Sequence, residues 1–357
     1  MFNDFKVTSS RGDYMVSYAR WDDALPGHLN TGDVVIMDQV IPELYPKLMA
    51  ATEGAEVLLI KANEESKTYE AIGRILEELV SVGFSKTNKI VAIGGGITQD
   101  VTSFAASVLL RGVDWTFFPT NLASQCDSCI GSKTSVNLGV YKNQLGGFYP
   151  PKEIVIDFNF CQTLSPIDIC AGLGEMMHYF LVDGPESLDK LSGEVQRAKT
   201  DEHALALLIS KSLLIKKEMV ERDEFDRGPR RVFNYGHTFG HALEAVTNFA
   251  VPHGIAVAYG IDLANILSTK LDLIDRSLRN EVRPILEKVW LDCRIPDFEI
   301  EDYFSALMKD KKNEGGRLHA ILTRGLGDMF QTPVDLDEQI KGSITDFFKY
   351  KVYERNL

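Results

Sequence analysis

The chain has 357 residues, 45% hydrophobic and 25% charged, with 28 Gly and 13 Pro, which excludes collagenous, low-complexity and wholly disordered readings and favours two packed domains. Lys and Arg number 38 against 51 Asp and Glu, a formal net charge of −13. That general field argues against nucleic acid as a partner, yet leaves room for a locally basic pocket holding a small phosphate.

In chain order, β-branched runs at Val34–Met37, Val57–Ile60, Ile90–Ile93 and Ile154–Ile156 read as strands buried on both faces. Between them, Thr68–Gly83 carries Ile72, Ile75, Leu76, Leu79 and Val80 at helical spacing, and Val101–Leu110 is a second apolar helix. Strand, helix, strand implies a parallel sheet of the dinucleotide-binding kind. Beyond Ser165-Pro166, a helix start, helical periodicity dominates. The expected architecture is an α/β N-terminal dinucleotide-binding domain over residues 1–158 and a mostly α-helical C-terminal metal-binding domain over 159–357. No run reaches the ~18–20 apolar residues of a membrane span, and no apolar stretch follows a basic start at the N-terminus, so neither membrane nor secretion is expected. Five cysteines at 126, 129, 161, 170 and 293 are too few and too odd for a disulfide scaffold and point to the cytoplasm.

Three constellations carry chemistry. Ile90–Ile93 runs into Gly94-Gly95-Gly96 and then a helix bearing Asp100. Glycines let a backbone approach a pyrophosphate, and the helix start offers N–H groups to it, although the spacing is not G-x-G-x-x-G. The Gly-rich loop from Ser124 to Gly147 holds Asp127, Lys133, Asn137, Lys142 and Asn143, a set suited to an anionic small molecule; its lone Cys126-x-x-Cys129 carries little weight as a metal or redox motif. The third is Asn234-Tyr-Gly-His237-Thr-Phe-Gly-His241, followed by His253-Gly254. His237 and His241, four apart, share a helix face, while upstream Glu175 and His178 lie three apart on an otherwise apolar helix. A carboxylate there needs a partner or a metal, and Glu175 with two of the histidines makes a Glu/His/His set with an open position, the pattern of catalytic zinc.

Taken together, Gly94–Gly96 with Asp100, Arg111-Gly112, the stretch from Pro119-Thr120 to Lys133-Thr134, Lys142-Asn143, Gly172-Leu173-Gly174-Glu175, Asn234 to His241 and His253-Gly254 resemble 3-dehydroquinate synthase and its sugar phosphate cyclase relatives, over about Gly32 to Leu322. The resemblance implies NAD in the first domain and Zn²⁺, with Co²⁺ as the alternative ion, in the second. Glu175, His237 and His253 match the metal ligands, and His241 a position beside the substrate phosphate. Glu64 and Lys67 match a ribose-binding pair, and Gly95, Gly96, Ile97 and Asp100 the pyrophosphate turn; Asp38, Thr120, Asn121, Lys133, Lys142 and Thr163 match further NAD contacts. Asp127, Lys133, Asn143, Lys216, Arg230 and Asn234 match the substrate pocket, and Arg111 an arginine that reaches a neighbouring subunit, implying a homodimer. Three positions depart: His178 replaces a lysine, Ile255 a glutamate and Gln99 a glycine. Either Arg317 or His319 matches a basic residue near the phosphate.

The reaction implied is cyclisation of a seven-carbon keto acid sugar phosphate with loss of phosphate. A transient oxidation by NAD acidifies a C–H, phosphate leaves, the ketone is reduced again, and the opened ring closes by an aldol step. The alternatives are a 2-deoxy-scyllo-inosose or valiolone-type cyclase, and a metal-dependent polyol dehydrogenase of the same architecture.

Overall fold

The structure, a computed structural model, describes residues 2–139, 141–290, 293–309 and 317–353. The chain divides into two compact units, Met1–Leu164 with Lys216–Phe225, and Ser165–Ile215 with Asp226–Leu357. The sequence reading places the boundary after residue 158 and gives everything beyond it to the second domain. The observed division falls instead between Leu164 and Ser165, and Lys216–Phe225, late in the helix Glu202–Arg222 and just past it, groups with the first unit.

The first unit is built on β1 (Phe5–Val7), β2 (Tyr14–Tyr18), β3 (Val34–Asp38), β4 (Glu56–Ile60), β5 (Lys89–Gly94), β6 (Asp114–Pro119) and β9 (Glu153–Ile156), in the spatial order β1-β2-β9-β6-β5-β3-β4. All neighbours are parallel except β1, an antiparallel edge strand on β2. The apolar runs become β3, β4, β5 and β9, and Val35, Met37, Val91, Ile93, Phe118 and Val155 pack into one core cluster with Leu25 and Phe160. The chain moves outward from β3 to β4, then crosses back to place β5 on the other side of β3. That reversal is where open parallel sheets bind ligands, beyond the carboxyl ends of the strands. Asp38, Gly94 and Pro119 end β3, β5 and β6, which brings three expected cofactor segments to one edge.

Residues 124–147, read from sequence as a loop, instead form a π-helical turn (Ser124–Ser128) and an antiparallel hairpin of β7 (Lys133–Leu138) and β8 (Tyr141–Phe148). The helix expected over Thr68–Gly83 spans Tyr69–Ser81, and Thr68 caps it by accepting from the Ala71 N–H.

In the second unit the helix Pro166–Asp183 opens with a capping box. The Ser165 hydroxyl accepts from the Asp168 N–H, and Asp168 accepts from the Ser165 backbone. It packs on the helix His253–Lys270, which is buried on nearly every face, and that helix also packs on His237–Val246. Glycine sets both crossings: a Cβ on Gly254 would lie 1.8 Å from the Ala171 carbonyl oxygen, and one on Gly260 would lie 2.0 Å from that of Gly236. This half is not purely helical, because β10 (Leu318–Thr323) and β11 (Met329–Val334) form an antiparallel hairpin.

Candidate functional site

The glycine-lined crossings in the second unit bring Glu175, near the middle of its helix, against the first residues of two others. Glu175 Oε1 lies 3.4 Å from His237 Nε2 and 3.3 Å from His178 Nε2, and Oε2 lies 3.2 Å from His253 Nε2. His241 completes the cluster, its ring 5.4 Å from those of both His237 and His253. Two groups here have donor atoms all within 4.8 Å of one another, His237 with His241 and His253, and Glu175 with His178 and His237. The first group contains the i, i+4 pair read from the sequence, the second joins Glu175 to His178, and the two share His237.

Burial would raise the Glu175 carboxyl, but the His253 and His237 imidazoles hold it well below the usual range, so it is an anion. Burial would lower His253, but Glu175 and Glu244 hold it well above its ordinary value. A cation arriving here displaces that proton. Glu175 Oε2 and His237 Nδ1 are buried with no hydrogen-bond partner, an arrangement that suits ligation of a cation better than a finished polar core. Glu244, not singled out in the sequence, accepts from His253 Nδ1 at 2.9 Å, which turns Nε2 toward Glu175. Its signal was available: it lies one helical turn beyond His241.

In the first unit the glycine turn is a cradle. The helix Gly96–Val108 starts from Gly95 with no side-chain cap, and a Cβ on Gly95 would lie 2.2 Å from Asn121 Nδ2. The N–H groups of this uncapped helix start, reached over glycine backbone, fit a pyrophosphate. Lys67 is 5% exposed and donates to Asp100 Oδ2 at 2.6 Å and to Asn143 Oδ1 at 2.8 Å. Asn143, expected in the substrate pocket, thus joins the expected cofactor set. Glu64 Oε1 accepts from Asn137 at 2.8 Å, pinning the β7–β8 hairpin to the segment before Lys67. Thr163 shares a hydrogen bond of 2.9 Å with Tyr45, Thr120 is buried and Arg111 is exposed.

Lys216 donates to the Asp127 side chain at 2.5 Å and to its carbonyl at 2.6 Å. Asp127 sits on the π-helical turn, which Gln99 ties down: its amide donates to the Ser128 carbonyl while the Ser128 hydroxyl donates to Gln99 Oε1, each at 2.7 Å. The Gln99 departure is therefore a brace. Ile255, by contrast, is a fully buried packing residue. In the second unit Arg230 is a buried cation, Asn234 donates to the Arg231 carbonyl, and Arg317 is paired with Asp335 by two bonds of 2.7 and 2.8 Å. Burial pushes the Cys129 thiol up to about 12, keeping it protonated and unreactive.

Burial also pushes the Asp100 carboxyl from 3.8 up to about 6, against the pull of Lys67. Because the folded state binds this proton more tightly than the unfolded chain, the contribution is fully present below about pH 4 and lost as pH rises through about 6. Comparing Asp100→Asn with the parent by denaturant titration, the parent is expected to gain on the variant by up to about 3 kcal/mol on acidification from about pH 7 to 4. A pH-independent difference would contradict the assignment.

Residues 57–171 match the family described as 3-dehydroquinate synthase N-terminal, and residues 172–313 that described as 3-dehydroquinate synthase C-terminal. A protein of Alkaliphilus metalliredigens named 3-dehydroquinate synthase is 33% identical over 311 residues, 85% of this chain and 87% of the relative. The chain belongs to the 3-dehydroquinate synthase family. Two solved structures share the fold. A 2-deoxy-scyllo-inosose synthase complexed with carbaglucose-6-phosphate, NAD⁺ and Co²⁺ superposes with a TM-score of 0.85 at 23% identity, covering 96% of this chain and 99% of that one. The 2-epi-5-epi-valiolone synthase of Streptomyces hygroscopicus, with NAD⁺ and Zn²⁺ bound, gives 0.84 at 24%, covering 96% and 98%. Membership of the 3-dehydroquinate synthase family makes this chain an enzyme, and no helix among its described residues is long and apolar enough to cross a membrane.

Proposed function

We propose that the protein is a sugar phosphate cyclase acting as a 3-dehydroquinate synthase: it takes a seven-carbon keto acid sugar phosphate, releases inorganic phosphate and closes a carbocycle. The observation that carries this reading is the convergence of Glu175, His237 and His253, with separations of 3.2 and 3.4 Å about one carboxylate, in a chain of this family. These three residues hold a divalent ion, Zn²⁺ or Co²⁺, and the Gly94–Gly96 turn with Lys67, Asp100, Thr120 and Asn121 holds NAD. When bound, NAD takes and returns a hydride while the ion polarises the oxygen being oxidised, so the cofactor is regenerated at each turnover.

The chain's own groups do the rest. Glu244 fixes the tautomer of His253. Buried Arg230 receives the substrate carboxylate, since a guanidinium binds it with two parallel hydrogen bonds. His241, exposed beside His237 and His253, meets the phosphate and carries a proton for its departure. Lys216 holds the Asp127 carboxylate in one orientation and supplies a second cation. Arg111, exposed, is placed as the homodimer reading needs, and five buried cysteines, none of them in a disulfide, support a cytoplasmic location.

The test is to incubate the protein, supplied with NAD⁺ and Zn²⁺, with the keto acid phosphate and with sugar phosphates lacking a carboxylate. Phosphate is expected to appear stoichiometrically with the keto acid substrate while absorbance at about 340 nm stays flat. NADH accumulating in step with substrate loss would make the protein a polyol dehydrogenase. Preference for a sugar phosphate without a carboxylate would make it a cyclase of the 2-deoxy-scyllo-inosose or valiolone type.

A further inference from the structure

We propose that His178 is a fourth protein ligand of the ion, coordinating through Nε2, so that the site consists of three imidazoles and one carboxylate. The inference rests on the metal reading above and extends it to a residue which that reading leaves out.

The distances separate ligation from hydrogen bonding. A histidine donating to an ionised carboxylate sits at about 2.7–2.9 Å, and His253 Nδ1 is at 2.9 Å from Glu244. His178 Nε2 is 3.3 Å from Glu175 Oε1, long for that bond. Two donors on one tetrahedral zinc, each about 2.0–2.1 Å from it, are about 3.3 Å apart. His237 Nε2 lies 3.4 Å from the same oxygen, on the same value, and His253 Nε2 lies 3.2 Å from the other carboxylate oxygen, Oε2. Glu175 Oε1 is shared by His178 and His237, and the donors of these three residues lie within 4.8 Å of one another.

Helix geometry and packing hold the ring there. Positions 175 and 178 share a face. The imidazole is 1% exposed and packs on Tyr179 and Phe233, with ring centroids at 3.9 and 5.8 Å. His178 and His237 meet edge to face at 5.1 Å, so the two rings are direct neighbours. Three imidazoles with one carboxylate suit Zn²⁺ and Co²⁺ over Mg²⁺ and Mn²⁺. Four protein donors also mean that a substrate oxygen enters as a fifth.

The experiment is zinc-edge X-ray absorption on the full-length protein carrying one Zn²⁺, which counts imidazoles around the ion, with zinc affinity measured by competition against a chelator. Three imidazoles are expected in the parent and in His241→Gln, and two in His178→Gln, whose zinc affinity falls at least about tenfold. Two imidazoles in the parent, or loss of one in His241→Gln but not in His178→Gln, would overturn the proposal; the parent count alone decides it should the His178 variant not fold. Zinc content of Glu175→Ala separates the two readings. Full occupancy there removes the metal site itself, whereas an empty Glu175→Ala beside an unaltered His178→Gln removes only the fourth ligand.

Discussion

Glu175→Ala is expected to purify without metal and to turn over roughly a hundred to a few thousand times more slowly than the parent. Glu175 is the only carboxylate facing this ion site from the helix Pro166–Asp183, and its two oxygens lie 3.2 to 3.4 Å from His178, His237 and His253. Its removal leaves a divalent ion in a buried place without a compensating anion, and breaking such a pair costs about 3–5 kcal/mol. NAD binding should survive, because the glycine turn belongs to the other compact unit. His241→Ala, by contrast, should slow turnover while metal stays near one per chain. Elemental analysis and steady-state assays on the two variants read both effects. A metal-replete Glu175→Ala, or a metal-free His241→Ala, would return the ligand set to the i, i+4 pair of His237 and His241.

The second large effect is expected at Lys67. Its ammonium is buried between Asp100 and Asn143, and charge-assisted bonds of this kind are worth roughly 1.5–3 kcal/mol each. Lys67→Ala should raise the NAD dissociation constant about tenfold or more. It should also destabilise the protein, because Asp100 is left as a buried carboxylate without its cation. Adding Asp100→Leu to Lys67→Ala should recover stability and leave NAD binding weak. Calorimetric titration with NAD and thermal unfolding of the single and double variants separate the two losses. Unchanged NAD affinity in both would detach this pair from the cofactor.

Of the two, Glu175 is a residue that sequence spacing picks out, whereas Lys67 is reached only through the family resemblance; where spacing suffices, the reason is local. Val34–Met37 and Ile90–Ile93 are continuous β-branched runs, and such runs have few alternatives to a doubly covered strand. The Ser165-Pro166 helix start is a short-range signal that structure preserves as a capping box. Three elements were illegible for the opposite reason. β6 (Asp114–Pro119) has two charged or proline ends and only a short apolar middle, and it is a strand because β5 and β9 flank it. The β7–β8 hairpin is polar and glycine-rich, so nothing in its composition distinguishes it from a loop; it is held from outside, by Asn137 on Glu64 and by Lys67 on Asn143. The grouping of Lys216–Phe225 with the first unit is a tertiary fact with no periodic signature. At the site, residue types announced the histidines and Glu175, but not that His178 and His237 share one oxygen of Glu175, which depends on how closely two helices cross.

That closeness divides the tolerance of the second unit to mutation in an unexpected way. Gly174, Gly236, Gly240, Gly254 and Gly260 touch no ion, yet each stands where a methyl group would meet another helix's backbone at 1.8 to 2.9 Å. An exchange among the imidazoles and carboxylates that project from those helices alters one donor at a time and leaves the helix spacing to other residues. Exchanging a glycine does not, because each enforces a distance between two main chains and so the spacing of every donor mounted on them. New chemistry in this scaffold is therefore reached by changing what projects from these helices, as at position 178, while the residues with no side chain at all set the dimensions of the cage.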